Sequence, residues 1–284
     1  MLRSLTTAIS GLQNFQGRMD VIGNNIANVN TAAFKSARVD FSDAFSQTLR
    51  KPGAGEGQSA ALQVGSGVGT DAIRDVYSQG AMSRTGVLTD LAIGGEGYFQ
   101  VRDTTTDRDF LTRNGAFRID ESGFLVTNSG HRLQGFNTST LDTIGDLRID
   151  LTGMPSTSDP ASNMVSWSIS NDGKIGINLS DGSSFVRGQV LLQNVRNPAA
   201  LVKEGNSLYS GFGGAGPLGG ATPTPAAAGT NGLGKIEAGT LELSNVDLAN
   251  EFSSMITAQR AFQATARVIS TSDEMLQELV NLKR

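Results

Sequence analysis

Two segments, one at each end of the sequence, carry apolar residues at a helical spacing, and each must bury its stripe against something. At the start, Leu5, Ile9, Leu12, Phe15, Met19, Ile22, Ile26 and Val29 follow one another at steps of four or three. At the end, Leu248, Phe252, Met255, Gln259, Phe262, Ala266, Ile269, Asp273, Leu276 and Val280 keep the same step, and eight of these ten are apolar. A mean step near 3.5 is that of a coiled-coil seam and not of a strand. Ser244, Asn245 and Asp247 supply capping side chains, so the second helix is predicted to start near residue 245. Asp273 interrupts its seam, and the turns beyond about residue 272 are expected to fray. Gly11, Gly17 and Gly23 lie inside the first helix. Each costs about 1 kcal/mol relative to Ala, so this helix is weak alone. Pairing the two helices is the economical solution. A lone pair has little core, and a bundle of pairs from many copies, ordering on assembly, is the sharper one.

Between the ends the pattern changes. From about residue 85 to 210 short runs alternate and are punctuated by glycine, as in LAIGGEGYFQVRD and DFLTRNGAFRIDESGFLVTNSGHRLQGF. Turn signals such as Asn171, Asp172 and Gly173 separate strands at hairpin spacing. The predicted class is therefore α+β, with the terminal helices paired as a coiled-coil domain and a mostly antiparallel β domain, a sandwich or folded barrel, between them. The expected organisation is a helical domain from 1–35 plus 240–284, a connecting segment at 36–70 and a β domain at 71–239. Within it, 137–185 reads as a reduced outer subdomain. Two stretches rich in glycine and small residues, 50–69 and 211–234, read as linkers, the second as a mobile loop.

Composition removes several function classes. Net charge is −4, from 23 basic and 27 acidic residues, which leaves no basic footprint for nucleic acid or an anionic membrane. There is no cysteine, so disulfides, thiolate metal sites and thiol catalysis are excluded, and the single histidine, His131, would have to serve any triad alone. No apolar run suits a Sec signal peptide or a membrane span of about 18 residues. Gly65, Gly67 and Gly69 lack the Lys-Ser/Thr ending of a phosphate loop. The carboxylate pairs Asp90 with Glu96 and Asp107 with Asp109 are of a kind that 27 acidic residues produce by chance, and Asn171 to Gly173 lacks the continuation of a calcium loop. No cofactor or metal is expected, and the reading is not an enzyme. A carbohydrate-active β-domain hydrolase is the alternative from another class, and it leaves the two end seams unexplained.

The stretch Met19 to Thr31, MDVIGNNIANVNT, together with SGLQNFQ at 10–16, resembles the start of the axial proteins of the bacterial flagellum, the rod, hook and hook-associated proteins. The end, LELSNVDLANEFSSMITAQRAFQATARVISTSDEMLQELVNLKR, is similar to their other terminus, and TDLAIGGEGYFQV resembles their first β domain. Within the family the chain looks most like a short hook protein of the FlgE type. The distal rod protein (FlgG) is the near alternative, to which SQTLRKPGAGEGQ (46–58) is similar.

The resemblance implies a subunit exported through the flagellar type III apparatus, without a Sec signal, to the hook-basal body outside the cell. It would assemble with itself into a hollow, flexible helical tube that carries torque from motor to filament. Its partners would be the rod, the hook cap, the hook-filament junction proteins and the export gate, with no nucleic acid and no membrane insertion. Carried onto this sequence, Leu5, Ile9, Leu12, Phe15, Met19, Ile22 and Ile26 would pack with Leu248, Phe252, Met255, Phe262, Ile269 and Leu276 as assembly seams. Asn14, Gln16, Gln259 and Gln263 would face the lumen or neighbouring subunits. Asn24, Asn25, Asn28 and Asn30 read as a capped helix stop, to which the resemblance adds hydrogen bonds between subunits. Phe41 and Phe45 form a Phe-x-x-x-Phe candidate for the export-gate signal, with both rings on one face if the segment is helical. The glycines around Gly53, Gly55 and Gly57 would make the connecting segment compliant and help to decide between a bent and a straight tube.

Overall fold

The computed structural model describes residues 2–50, 62–154, 162–216 and 225–282. The chain divides into two compact units, one of Met1–Val29, Lys35–Val76 and Val246–Arg284, the other of Asn30–Phe34 and Tyr77–Asn245.

The first unit holds the two long helices, α1 (Leu2–Ala27) and a C-terminal helix, and four strands. β1 (Ala37–Asp43) pairs antiparallel with β4 (Val68–Asp75), and β2 (Ser46–Arg50) with β3 (Leu62–Gly65). The Ala44 amide donates to the Gly67 carbonyl at 2.9 Å, so the two pairs continue one into the other. The described parts of the expected connecting segment, 36–50 and 62–70, therefore form a two-stranded ribbon. Alternating residues such as Val39 and Phe41 hold a β register that glycine content masked. The compliant stretch around Gly53, Gly55 and Gly57 lies outside the described residues.

The second unit is built on a twelve-stranded sheet and two small ones. Its strands are β5 (Met82–Arg84), β6 (Leu91–Gly94), β7 (Tyr98–Arg102), β8 (Asp109–Thr112), β9 (Phe117–Ile119) and β10 (Leu125–Thr127), followed by β11 (Arg132–Phe136), β12 (Ile144–Asp146), β13 (Met164–Ile169) and β14 (Lys174–Leu179). After β15 (Ser184–Gln193) come β16 (Val202–Gly205), β17 (Leu208–Ser210), the short α2 (Phe212–Ala215), β18 (Ala226–Ala227), β19 (Lys235–Ala238) and β20 (Thr240–Glu242). The main path runs β13-β14-β15-β11-β7-β8-β17-β16, and every named pairing is antiparallel. The small sheets pair β19 with β6 and β20 with β5. The C-terminal helix, α3, spans Leu248–Leu282 and does not stop at residue 272.

Alternation explains the packing of this sheet. Phe99 and Val101 of β7 enter one core with Leu133, Val190, Leu192, Ile175 and Ile177. Their neighbour Tyr98 points to the opposite face, where it meets Leu111, Val195, Leu201 and Tyr209. The turn between β9 and β10 is held by Asp120, whose carboxylate accepts from the Ser122 and Phe124 amides at 2.9 and 2.8 Å, with Gly123 at φ +86° completing the bend. Two sequence expectations fail here. The described parts of 137–185 form no outer subdomain, because β13 and β14 extend the main sheet and Ile169, Ile175 and Ile177 are in its core. The described parts of 211–234 are no loose loop, because Ala215, Ala228 and Leu233 are buried and β18 pairs with β15.

Asp150 pins the segment after β12. Burial alone would push its carboxyl up, but hydrogen bonds from Arg187 and Thr152 outweigh that and hold it below the usual carboxylate value. Arg187 also donates to the Asn137 carbonyl, so one buried guanidinium joins two segments. A depressed carboxyl stabilises the fold above its unfolded value, and that share is lost as pH falls through the depressed one. Asp150→Asn is expected to cost roughly 1–3 kcal/mol in urea unfolding at pH 7. The gap to the unaltered chain should close in acid. A gap independent of pH would mean that the carboxylate charge plays no part.

Candidate functional site

The first unit contains the features that bear on assembly. Asp247 caps α3, accepting from the Ala249 and Asn250 amides at 2.9 and 3.3 Å. Two contacts give the register of α3 on α1. Asn25 Nδ2 donates to Glu251 Oε1 at 3.1 Å, and a Cβ at Gly11 would lie 3.6 Å from Thr265 Cγ2. Asn25 lies 14 positions after Gly11 and Thr265 lies 14 after Glu251, so the helices run antiparallel and in step. On that register the start of α1 comes level with Glu274, and α3 outruns it from Met275 to Leu282.

Several of the most buried positions along the two helices are small residues. Ala8 and Gly11 on α1, and Ala258 and Ser272 on α3, are buried, with Thr265 midway at the seven-residue repeat of a helix seam. Of the predicted seam residues, Ile22 is buried, and Leu5, Leu12, Phe15, Met19, Ile26, Met255, Phe262, Ile269 and Leu276 are half-buried. Ile9, Leu248 and Phe252 are exposed, Phe252 by half of its surface. Met255, Phe262, Ile269 and Leu276 thus keep their place on the half-buried face of α3, while the other line of the predicted seam shifts by one position, with Glu251, Ala258, Thr265 and Ser272 in place of Phe252, Gln259, Ala266 and Asp273. The repeat Ala258, Thr265 and Ser272 was visible in the sequence but is not apolar, so a hydrophobicity reading passes over it.

The ribbon packs on α1 through a polar line. Asn14 Nδ2 donates to the Val68 carbonyl at 2.9 Å, and Thr70 Oγ1 donates to Asn14 Oδ1 at 2.6 Å. Gly67, at φ +122°, lies so close to Ser10 that a Cβ would approach its Oγ to 2.3 Å. Asn25, 1% exposed, accepts from the Ala37 amide at 2.9 Å and donates to the Ala37 carbonyl at 2.8 Å. It treats the first residue of β1 as a neighbouring strand would. The asparagine cluster therefore divides: Asn28 bonds back to Asn24 as a helix stop, Asn24 and Asn30 are exposed, and Asn25 is a structural clamp.

Phe41 and Phe45 lie in and just after β1, so they do not share a helix face. The Phe41 ring packs edge-on against Phe15 with centroids 6.3 Å apart, whereas Phe45 is 96% exposed. None of the residues considered for catalysis converges. His131 bonds to Ser129 of its own turn, Asp90 accepts from Thr85, and Asp109 and Asp107 lie beside Arg102. Among the described residues no group of acidic and histidine side chains has metal-ligand spacing, and no helix is long and apolar enough to cross a membrane.

Three family models match the sequence: Flagella basal body rod protein over residues 5–35, Flagellar hook protein FlgE/F/G D1 domain over 92–177, and Flagellar basal body rod FlgEFG protein C-terminal over 237–282. The flagellar basal-body rod protein FlgG of Bacillus subtilis is 41% identical over the full length of both chains. The chain belongs to the flagellar rod and hook (FlgE/F/G) family. Its members are structural proteins of the basal body and hook, involved in motility, and not enzymes. The rod protein FlgG of Borreliella burgdorferi is 34% identical over all of both chains. The hook protein FlgE of the same organism is 26% identical, in an alignment of 448 positions covering both chains. These relatives favour the rod over the hook that the sequence resemblance had put first.

The Asn25 clamp generates a direct expectation. Asn25→Ala removes one partner from each of three hydrogen bonds and should destabilise the first unit by about 2 kcal/mol. Hydrogen exchange should show faster exchange of the Ala37 amide, with the core amides of β7 and β11 unchanged. Equal protection of Ala37 in both chains would deny Asn25 that role.

Proposed function

We propose that the chain is a distal rod subunit of the flagellar basal body. It is exported by the flagellar type III apparatus and assembles with itself into a straight, hollow shaft that passes torque towards the hook. The observation that carries this reading is the end-to-end similarity to relatives named basal-body rod protein, with no length left over on either side. The hook relative requires an alignment far longer than this chain, as expected if hook subunits carry additional sequence.

In this reading α1 and α3 pair as a coiled coil and line the inner tube. The outward residues Ile9, Leu248, Phe252 and Ile256 then find cover on the helices of other copies. A pair of helices that meets through small side chains and turns large apolar ones outward is suited to a polymer and poorly suited to a monomer. The contacts are heterologous and non-closing, so addition of subunits has no internal end. Partners beyond the chain itself are the neighbouring rod and hook proteins and the export gate. Phe41 and Phe45 retain their place as the export-signal candidate, since a gate reads the unfolded chain and their settings in the folded one do not bear on it.

The ribbon supplies the stiffness. Its β1–β4 half is bonded to α1 at Ser10, Asn14 and Asn25, while its β2–β3 half runs on as an arm. Two strands joined by a ladder resist bending more than a glycine-rich linker would, and an arm held at its base can brace one copy against the next. Electron microscopy of the polymer built by the unaltered chain is expected to show straight tubes. Excision of residues 46–65 should leave assembly intact and give curved or irregular ones. Curved tubes from the unaltered chain would favour the hook, and straight tubes from the excised chain would remove the ribbon from the account.

A further inference from the structure

The chain passes between its two units at four points, 29/30, 34/35, 76/77 and 245/246. On the second unit, 30–34, 77–81 and 243–245 lie next to these points, and the first two segments are each bonded to the third. The Asn245 amide donates to the Phe34 carbonyl at 3.4 Å, Asn245 Nδ2 donates to the Ser78 carbonyl at 3.2 Å, and the Leu243 amide donates to the Ala81 carbonyl at 2.8 Å. Glu242 joins them. Its backbone carbonyl accepts from the Ala33 amide at 2.9 Å, its Oε1 accepts from the Gly80 amide at 2.9 Å, and its Oε2 accepts from Arg113 Nη1 at 3.4 Å. Glu242 is 1% exposed and Arg113 7%, with the guanidinium 5.2 Å from the centre of the Tyr98 ring. The segments are closely fitted. Ala33 is buried at φ +56°, a left-handed conformation that alanine seldom adopts. A Cβ on Gly80 would come within 2.0 Å of the Leu243 carbonyl oxygen.

We infer that Glu242 fastens the three segments into one cooperative junction, which opens and closes as a unit and separately from the twelve-stranded sheet. A buried carboxylate shared between a backbone amide and a guanidinium cannot release one partner cheaply, because the charge left behind stays in a site without water. The side chain of Glu242 holds 77–81, and its main chain holds 30–34. A displacement of either segment is therefore felt by the other. β20, which carries Glu242, pairs with β5 over three residues, and this small sheet is separate from the twelve-stranded one. Its opening leaves the ladder of the large sheet intact. Force that the chain itself carries from one unit to the other enters through these segments. A junction that yields only as a whole divides that force among all of them. This use in a shaft that passes torque rests on the rod reading, whereas the junction itself does not.

Native-state hydrogen exchange of the full, unassembled chain in low urea tests the junction. The amides of Ala33, Gly80, Leu243 and Asn245 should share one protection factor, below that of the β7 and β11 amides. Glu242→Gln keeps an oxygen for the Gly80 amide and removes the charge that faces Arg113. In that variant the four amides should lose protection together, by about tenfold. Should it not fold, Arg113→Met combined with Glu242→Leu removes both charges at once and carries the same expectation. Unequal protection factors among the four amides of the unaltered chain overturn the inference. So does a loss confined to Gly80, or no loss at all. Protection equal to that of β7 and β11 overturns it as well, since the segments would then open only with the sheet. Because the unassembled chain is measured, these outcomes leave the rod reading to the shape of the tubes.

Discussion

The contact between α1 and α3 sets the terms for the first unit. Its buried positions include the short side chains Ala8, Gly11, Ala258 and Ser272 beside Ile22, while larger apolar residues such as Leu12, Met19, Met255 and Phe262 are only half-buried. The hydrophobic effect within one chain is therefore only partly realised. With the small residues inward, the large ones, Leu248, Phe252 and Ile256 on α3 and Ile9 on α1, turn outward, and their burial is left for a second step.

What the apolar contact lacks in strength is made up in specificity by asparagine. Asn25 is buried and has a partner for each of its polar groups, joining the end of α1, the start of β1 and the first turn of α3. Asn14 does the same one-sidedly for β4. Buried polar groups are costly unless every bond is made, so only the observed register satisfies them. A one-residue slip of the ribbon would set the Asn25 carboxamide opposite a neighbour of Ala37, whose N–H and C=O point to the other edge of the strand.

Much of this was legible in advance. Two helices at the chain ends and an antiparallel β domain follow from periodicity and turn chemistry, and a structural role from the resemblance of both ends to flagellar axial proteins; the start of α3 was expected near residue 245 from three candidate caps, of which Asp247 is the one in use. Three things were not. The ribbon was hidden because Gly65, Gly67 and Gly69 read as a linker, although Gly67 is there to let β4 approach Ser10. One line of the seam on α3 was misplaced because hydrophobicity weights Phe252 above Ala258, whereas Met255, Phe262, Ile269 and Leu276 do lie on the half-buried face. Asn25 read as one asparagine of a helix stop, since nothing local distinguishes it from Asn24. Only the long-range partners Ala37 and Glu251 do so.

The rotation of α3 is the point at which folding and assembly meet. Turning the helix by one residue, about 100°, would bring Phe252 and Gln259 towards α1 in place of Glu251 and Ala258. It would also withdraw the half-buried Met255, Phe262, Ile269 and Leu276 and bring up Ile256, Gln263, Ser270 and Gln277, so less apolar surface would be buried within one chain. It would also break the Asn25–Glu251 bond and force a phenylalanine and a glutamine into a space fitted for small side chains. The observed face of α3 is therefore the one that keeps the Asn25–Glu251 bond and also half-buries Met255, Phe262, Ile269 and Leu276. Phe252, Ile256 and Val268 stay exposed on it, and their burial is the hydrophobic gain that the helix pair leaves unrealised.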